Sequence, residues 1–207
     1  MPEFQHRNPA APDFWSERFE QNFTPWDRAG VPAALRAFVA CQVDLKQAPM
    51  SVLIPGCGIG YEVAFLAEAG WDVTAIDFSP VAVAAARAAL GPWAPRVVEG
   101  DFFSFQPARP PQLIYERAFL CALPPTMNEA IVRRWAALLL PGGLLAGFFF
   151  FDDDPKGPPF GIARERLEAL LEPDFVCLED LPVDDSIAVF AGRERWQVWQ
   201  RKGQVSA

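Results

Sequence analysis

The chain reads Ser51-Val-Leu-Ile-Pro-Gly-Cys-Gly-Ile-Gly60, and an acidic residue follows at Asp77. The apolar residues 52–54 predict a β-strand, the alternating glycines predict a tight turn, and the apolar segment 63–69 predicts a helix. Glycine is needed in such a turn because a side chain would block both the backbone bend and a ligand lying against it. This strand, turn and helix predict the front of a nucleotide-type site, with helix N–H groups directed at the ligand.

The spacing of the glycines separates the possible ligands. A dinucleotide site requires G-x-G-x-x-G, in which the last glycine lets the pyrophosphate approach. Here the glycines are Gly56, Gly58 and Gly60, and Tyr61 occupies the position that a third dinucleotide glycine would fill. The tyrosine at this position argues against an NAD-dependent oxidoreductase. A nucleotide-binding titration would decide between that class and the others. A glycine-rich turn without a ligand is the plain structural alternative.

An acidic residue ends the next predicted strand, which covers residues 71–77. Glycine turn, strand, helix and acid together resemble the S-adenosylmethionine site of class I methyltransferases. The resemblance implies that Asp77 binds the ribose hydroxyls and that the glycine loop lies beside the methionine part of the cofactor. Phe78, the next residue, belongs to the same implied cofactor site. A cofactor-binding protein without catalytic activity is a further alternative, which no feature of the chain favours.

Composition and charge indicate a compact enzyme with a small-molecule partner. The chain has 207 residues and a formal net charge of −8. That length allows a sizeable core, and the negative charge argues against nucleic acid or an anionic membrane as a partner. The longest apolar run, residues 142–151, is only strand-sized. The N-terminal residues lack the apolar core of a signal peptide, so we expect a cytoplasmic protein.

The four cysteines are far apart and form no C-x-x-C pair. We therefore expect reduced, mostly buried thiols rather than a disulfide framework, and we expect no metal site.

Strand and helix patterns alternate along the chain without a linker. This alternation predicts an α/β fold with a mostly parallel sheet between helix layers. We expect a flexible N-terminal tail (residues 1–12) and a single domain (residues 13–203), of which residues 13–45 form a helical lid region. The predicted helices cover residues 14–23, 32–43, 63–69, 81–90, 127–140 and 163–171. The predicted strands cover residues 52–54, 73–76, 96–98, 113–115 and 144–151, with an antiparallel pair at 175–178 and 196–201.

Four further strings narrow the class of methyltransferase. Trp15, Phe19 and Trp26 are spaced by four and seven residues, and Trp26 lies in Thr24-Pro-Trp-Asp27. The other strings are Gly100-Asp-Phe-Phe103, Tyr115-Glu-Arg-Ala-Phe-Leu-Cys-Ala-Leu-Pro-Pro125 and Lys156-Gly-Pro-Pro-Phe160. Together they resemble the thiopurine S-methyltransferase superfamily, which includes the plant thiol and halide methyltransferases. The resemblance runs from about residue 15 to residue 202, and it implies the Rossmann-like class I methyltransferase fold with a seven-stranded sheet.

The resemblance also assigns the cofactor-binding residues. Aromatic rings attract the sulfonium cation of S-adenosylmethionine, by about 0.5 to 2 kcal/mol depending on desolvation. The aromatic residues of the N-terminal string would line the cofactor and fold over it as a lid. Asp101 and Phe102 would hold the adenine, with Phe103 beside them. An amphipathic helix packed on the sheet is the alternative for the aromatics.

Methyl transfer needs in-line attack in a dry cavity. Sulfur, selenium and halide nucleophiles are polarizable and often anionic, so they need orientation rather than a strong base. The single histidine, His6, lies in the predicted tail, where a base for an alcohol acceptor is hard to place. Glu116 is a possible base, and it keeps an O- or N-methyltransferase open as the alternative function.

Arg117 is the predicted catalytic residue on the acceptor side. It follows the fourth predicted strand, at the carboxyl edge where open α/β sheets bind ligands. There it would steer an anion or bind the cofactor carboxylate, and a surface ion pair is the alternative. By resemblance, Arg193 and Arg195 could reach the same cavity from the last loop, although a solvated charge run explains them equally well. Phe119 and Phe160 are expected to form the apolar wall.

The two branches of the superfamily are mixed in this sequence. The glycine loop is of the fuller kind seen in the plant thiol and halide branch, whereas Glu116-Arg117 resembles the thiopurine branch. Because one scaffold hosts many chemistries, the acceptor stays open between thiols, thiopurines, thiocyanate or bisulfide, halides and metalloid anions. We therefore predict a methyltransferase for a small soft nucleophile, acting as a monomer or weak homodimer.

Overall fold

The computed structural model describes residues 3–154 and 156–203. Its framework is one seven-stranded sheet with the order β3-β2-β1-β4-β5-β7-β6. The strands, in chain order, are Ser51–Pro55 (β1), Asp72–Asp77 (β2), Val97–Glu99 (β3), Leu113–Arg117 (β4), Leu144–Phe150 (β5), Phe175–Pro182 (β6) and Glu194–Arg201 (β7).

Within the described residues, six α-helices connect or flank these strands. They are Pro12–Glu20 (α1), Ala33–Asp44 (α2), Tyr61–Glu68 (α3), Pro80–Leu90 (α4), Asn128–Leu138 (α5) and Arg164–Leu171 (α6). Short 3₁₀ helices cover Gly91–Arg96, Leu120–Ala122 and Pro125–Met127. No helix in the described part of the chain is long and apolar enough to cross a membrane.

The direction of the strands defines where a ligand can bind. The strands β1 to β5 pair in parallel, and β7 runs antiparallel to both β5 and β6. The strand order changes direction between β1 and β4. In open α/β sheets the connections on either side of such a point diverge, and they leave a crevice beyond the carboxyl ends of the strands.

Apolar side chains cover both faces of the sheet. One large buried cluster includes Leu35, Leu66 and Trp196, a second large one includes Trp135 and Phe149, and a small third one includes Phe150 and Phe190. The central strand β5 is buried along almost its whole length, which explains its continuous apolar sequence, because a strand covered on both faces has no polar side. The sequence-based prediction of a seven-stranded, mainly parallel sheet with an antiparallel end is confirmed.

The burial of the cysteines differs from the expectation. All four are free, but Cys41 and Cys177 are exposed, Cys57 is half-buried and only Cys121 is buried. The prediction of mostly buried thiols was therefore wrong. Cys41 lies in the last turn of the surface helix α2, and Cys177 lies on the edge strand β6, most of whose residues are exposed.

The N-terminal segment packs on the first helix. The backbone N–H groups of Gln5 and His6 donate to the Glu17 carboxylate, and the Trp15 indole donates to the Pro9 carbonyl at 2.8 Å. Residues 1 and 2 of the predicted tail lie outside the described residues. The division into a flexible tail and a single domain stays a prediction.

Candidate active site

A cavity of about 920 Å³ opens at the carboxyl edge of the sheet. Its lining comes from α1 and the segment after it, from the glycine loop, and from the residues that follow β2, β3 and β4. Segments 157–159 and 189–190 complete the wall. The cavity therefore lies at the crevice that the strand order predicts.

The glycine loop makes room for the cavity. Gly56 has a φ of +61°, and a Cβ there would lie 2.8 Å from Cδ2 of Phe119, which also lines the cavity. Gly60 has a φ of +82° and forms the left-handed N-cap of α3. Side chains at these positions would strain the backbone, and they would collide with Phe119 at Gly56 and crowd Leu90 at Gly60. Gly58 lies between them on the same wall.

Asp77 joins the glycine loop to the end of β2. Its carboxylate accepts hydrogen bonds from the Gly58 N–H at 3.2 Å and from the Ser79 N–H at 2.9 Å. Burial raises the pKa of Asp77 to about 6, and these backbone donors oppose the rise. A buried carboxylate is thus held at the cavity wall, where it can accept further hydrogen bonds.

A second group of predicted residues lies after β3. Phe102 is buried with its ring centroid 5.0 Å from that of Phe119, and Phe103 packs edge-on against Phe102. The Asp101 carboxylate is exposed and accepts from the Phe103 N–H. All four residues and Phe78 line the cavity. The structure therefore brings the predicted adenine-binding residues to one side of it.

The aromatic residues of the N-terminal string form one cluster over the cavity. The rings of Trp15 and Phe19 pack edge-on against Trp26, with centroid distances of 5.3 and 6.1 Å. Trp26 also contacts the buried cluster that contains Phe150 and Phe190. All three predicted lid residues line the cavity.

Arg117 lies at the end of β4, and its side chain is only 12% exposed. The guanidinium Cζ is 4.4 Å from the centroid of the Phe148 ring, and Nη1 is 3.7 Å from Oε1 of Glu194. Both Nη atoms are buried without a hydrogen-bond partner among the described residues. Because unpaired buried donors are costly, this guanidinium is available to a ligand in the cavity, which it lines.

Several charged residues that the sequence analysis did not single out also line the cavity, among them Glu62 and Arg28. Glu62 is 9% exposed on α3, and the Tyr115 hydroxyl donates to its Oε1 at 3.5 Å. Arg28 follows the Thr-Pro-Trp-Asp string and is paired with Asp185 at 2.9 Å. Glu62 could have been noticed as an acid in the first turn of an otherwise apolar helix after the glycine loop.

Glu116 does not line the cavity. It is 1% exposed, and its Oε1 accepts from the N–H groups of Phe119 and Leu120 at 2.8 and 2.9 Å. Burial raises the pKa of Glu116 to about 7. Its carboxyl group thus holds the 3₁₀ turn after β4. Neighbouring residues of a strand point to opposite faces, so Arg117 points towards the cavity and Glu116 points away from it.

Three predicted acceptor-side residues are not among those that line the cavity. Arg193 pairs with Asp152, and Arg195 pairs with Asp180 on the neighbouring strand β6. Phe160 is partly buried, and its N–H donates to the Cys121 carbonyl at 2.7 Å. Neither arginine nor Phe160 is among the residues that line the cavity. The preceding residues 157–159 form the wall in place of Phe160.

Two cysteine thiols lie on the cavity wall. Burial raises the pKa of Cys57 and that of Cys121 well above the usual value, and nearby carboxylates raise both further. Both thiols are therefore protonated at neutral pH. Among the residues described, no group of three or more His, Cys, Asp or Glu side chains is arranged to hold a metal ion.

The comparison with protein families decides the assignment. The family model described as thiopurine S-methyltransferase (TPMT) matches residues 10–202. The chain belongs to the thiopurine S-methyltransferase family. As a member of this family it is an S-adenosylmethionine-dependent methyltransferase, and the family resemblance predicted from the sequence is confirmed.

Curated relatives come from both branches of the TPMT family. Thiocyanate methyltransferase 1 of Brassica oleracea is 30% identical over 197 residues, covering 90% of this chain and 84% of that protein. Thiopurine S-methyltransferase of Pseudomonas putida (strain GB-1) is 32% identical over 149 residues, covering 63% of this chain and 68% of that protein.

Solved structures of more distant proteins share the fold. The 1,6-didemethyltoxoflavin-N1-methyltransferase of Burkholderia thailandensis, crystallised with S-adenosylhomocysteine, has a TM-score of 0.72 at 18% identity. That match covers 98% of this chain and 94% of the other. The N-methyltransferase NodS of Bradyrhizobium japonicum WM9 has a TM-score of 0.70 at 20% identity, covering 91% and 97%. The class I methyltransferase fold is thereby confirmed.

Proposed function

We propose that this TPMT-family enzyme transfers a methyl group to a small soft nucleophile, which it binds as an anion beside Arg117. The observation that carries the proposal is the guanidinium of Arg117, which is buried at the cavity with neither Nη atom hydrogen-bonded to any described residue. A buried cation with free donors suits a small anion better than a neutral alcohol or amine.

The rest of the cavity fits the cofactor. The Gly56 turn keeps the wall free of side chains, and Asp77 at the end of β2 offers carboxylate oxygens to the ribose hydroxyls. Asp101 and Phe102 would contact the adenine, with the Phe78 and Phe103 rings beside them. When bound, the cofactor supplies an electrophilic methyl group on a sulfonium centre.

The chain's own contribution is to exclude water and to orient the acceptor. Trp15, Phe19 and Trp26 would cover the cofactor, and their ring faces favour a nearby cation. The apolar wall at Phe119, Pro158 and Phe190 would remove water from the acceptor. A desolvated anion at a fixed guanidinium is a better nucleophile than a hydrated one.

The names of the curated relatives support a sulfur acceptor. A thiocyanate methyltransferase and a thiopurine S-methyltransferase, whose names both specify a sulfur compound as the acceptor, match this chain at similar identity. The acceptor class that they share is a small compound with a polarizable, anionic sulfur atom. Selenium, halide and metalloid anions have the same chemistry and belong to the same proposal.

A panel of acceptors tests the proposed function. Release of S-adenosylhomocysteine would be measured with bisulfide, thiocyanate, iodide, an aromatic thiol, a thiopurine and selenite or tellurite, with catechol as the oxygen control. We expect turnover with at least one soft acceptor and none with catechol. Turnover with catechol alone would contradict the proposal.

The role of Asp77 is tested by cofactor affinity. Replacing Asp77 with alanine should weaken S-adenosylhomocysteine binding by about 1 to 3 kcal/mol, because charge-assisted hydrogen bonds to the ribose are lost. Calorimetric titration of the variant measures the change. An unchanged dissociation constant would show that Asp77 does not contact the ribose.

The pH dependence of the wild-type protein provides a matching test. Since the pKa of Asp77 is raised to about 6, its carboxylate is protonated as the pH falls below that value. The ionised form is the better acceptor for ribose hydroxyls, so the affinity should fall on acidification through this pH. The Asp77→Ala variant should lack this loss of affinity.

A further inference from the structure

Glu62 is a buried carboxyl group at the cavity for which the proposed function has no role. It lies in the first turn of α3, and its side chain lines the same cavity as Arg117. Asp77, the other buried carboxylate on the wall, is engaged by the N–H groups of Gly58 and Ser79. The Tyr115 hydroxyl donates a long hydrogen bond of 3.5 Å to the carboxylate of Glu62.

The surroundings of Glu62 place it on the Arg117 side of the cavity. Tyr115 and Arg117 face it from β4, which lies next to β1 in the sheet. The titratable and charged groups that interact with it are Arg28, Cys57, Tyr61, Tyr115 and Arg117. Burial raises the pKa of Glu62, and the positive charge of Arg117 partly opposes the rise.

The soft acceptors of the proposed function fall into two classes with opposite proton requirements. Thiocyanate and iodide are already anions and carry no proton to remove. The cysteine thiol has a pKa of roughly 8.5 in water, and simple alkyl thiols are weaker acids still, so most of such a thiol is neutral at pH 7. A neutral thiol must lose its proton to become the nucleophile, whereas an anion must bring its charge into a cavity that already holds carboxylates.

We propose that Glu62 is the proton acceptor for neutral thiols and that its protonated form admits acceptors that are already anionic. This inference rests on the proposed function and extends it to the choice between acceptor classes. Glu62 would be a catalytic residue for thiols, because it touches the S–H group, and an electrostatic gate for anions.

The proton and charge balance explains the double role. The thiol proton moves to the Glu62 carboxylate, and the thiolate left behind pairs with the guanidinium of Arg117. The sulfur lone pair then forms the bond to the methyl carbon, while the electron pair of the breaking bond stays on the cofactor sulfur. The proton leaves Glu62 for solvent afterwards. The net charge of the cavity stays constant when the thiol ionises.

Anionic acceptors need the opposite state of the same group. An ionised Glu62 would repel thiocyanate at Arg117, because both are negative in a buried site. Protonation of Glu62 removes that repulsion, so the binding of the anion is coupled to proton uptake. With thiocyanate, kcat/KM should therefore fall as the pH rises through the pKa of Glu62.

The Glu62→Gln variant separates the two classes, since glutamine imitates the protonated form. We expect kcat/KM for 2-mercaptoethanol to fall about 100-fold or more, as for loss of a general base. For thiocyanate, kcat/KM at neutral pH should not fall, because glutamine cannot repel the anion, and the decrease with rising pH should disappear. Glu68→Gln on the exposed end of α3 is the matched control and should leave both acceptors unchanged. Equal losses for both acceptors, or none for the thiol, would overturn the proposal.

A binding measurement tests the inference without turnover. Thiocyanate would be titrated calorimetrically into the complex with S-adenosylhomocysteine, in buffers with different enthalpies of ionisation. We expect the wild type to take up protons and Glu62→Gln to take up none, with cofactor affinity preserved in both. Equal uptake by the two proteins would overturn the role of Glu62. Failure of the proposed function would appear differently, as an absence of turnover by the wild type with every soft acceptor.

Discussion

Replacing Arg117 with methionine should lower kcat/KM for thiocyanate by at least ~30-fold. The buried pair that is lost is the one between Arg117 and the bound thiocyanate, and truncating one partner of such a pair costs about 2 kcal/mol or more. The Arg117 side chain is 12% exposed, its guanidinium lies over Phe148, and neither Nη atom has a hydrogen-bond partner in the described part of the chain. Methionine keeps the apolar stem against Phe148 but removes the charge and the donors. The loss should therefore fall on the acceptor, while the affinity for S-adenosylhomocysteine stays close to that of the wild type.

Steady-state kinetics with thiocyanate and calorimetric titration with S-adenosylhomocysteine check this result. Arg195→Met is the matched control, since Arg195 pairs with Asp180 and does not line the cavity. It should retain the wild-type kcat/KM. If the Arg117→Met variant lost only affinity for the cofactor, the role of Arg117 would be to bind the cofactor carboxylate and not the acceptor.

Replacing Gly147 with alanine should destabilise the protein by about 3 kcal/mol or more. Overpacking a core costs about 1 to 3 kcal/mol, and here the added methyl group would collide with backbone atoms rather than with a flexible side chain. Gly147 lies in the buried strand β5, opposite Glu116 in β4. A Cβ at this position would lie 1.9 Å from the Glu116 carbonyl oxygen. Neither central strand can move away, because each is paired on both sides.

Thermal unfolding measures the effect. For a protein of this size, each kcal/mol shifts Tm by about 2 to 4 °C, so the expected loss is roughly 6 °C or more. Gly203→Ala is the control, since nothing lies within 4 Å of a Cβ at Gly203. A Gly147→Ala protein with the Tm of the control would show that β4 and β5 are less tightly packed than described.

The sequence predicted those features that local patterns determine. The glycine turn at Gly56 to Gly60 and the acid at Asp77 belong to one strand–turn–helix–strand unit, so their spacing alone predicts their proximity. The position of Arg117 was also predictable, because it directly follows the apolar stretch of the fourth predicted strand and therefore lies at the carboxyl edge of the sheet. The aromatic residues Trp15 and Trp26 were placed by family resemblance, because nothing in residues 13–30 reveals which face of α1 meets the sheet.

Pairing between distant residues explains where the prediction and the structure differ. Arg195 lies next to the last loop, but the antiparallel pairing of β7 with β6 brings it to Asp180. The acids that hold Arg193 and Arg195 are 41 and 15 residues away in the chain. Glu62 was missed for a related reason, since the chain does not show that Tyr115 and Arg117 of β4 face α3. Alternation within a strand likewise separates Glu116 from the cavity.

The protonation state of the cysteines on the cavity wall determines whether the enzyme can alkylate itself. A cavity that presents an electrophilic methyl group to soft nucleophiles exposes any thiolate on its wall to self-alkylation. Burial and nearby carboxylates keep Cys57 and Cys121 protonated, and a protonated thiol is a poor nucleophile. The same environment that would drive a visiting sulfur to react therefore leaves the resident sulfurs inert.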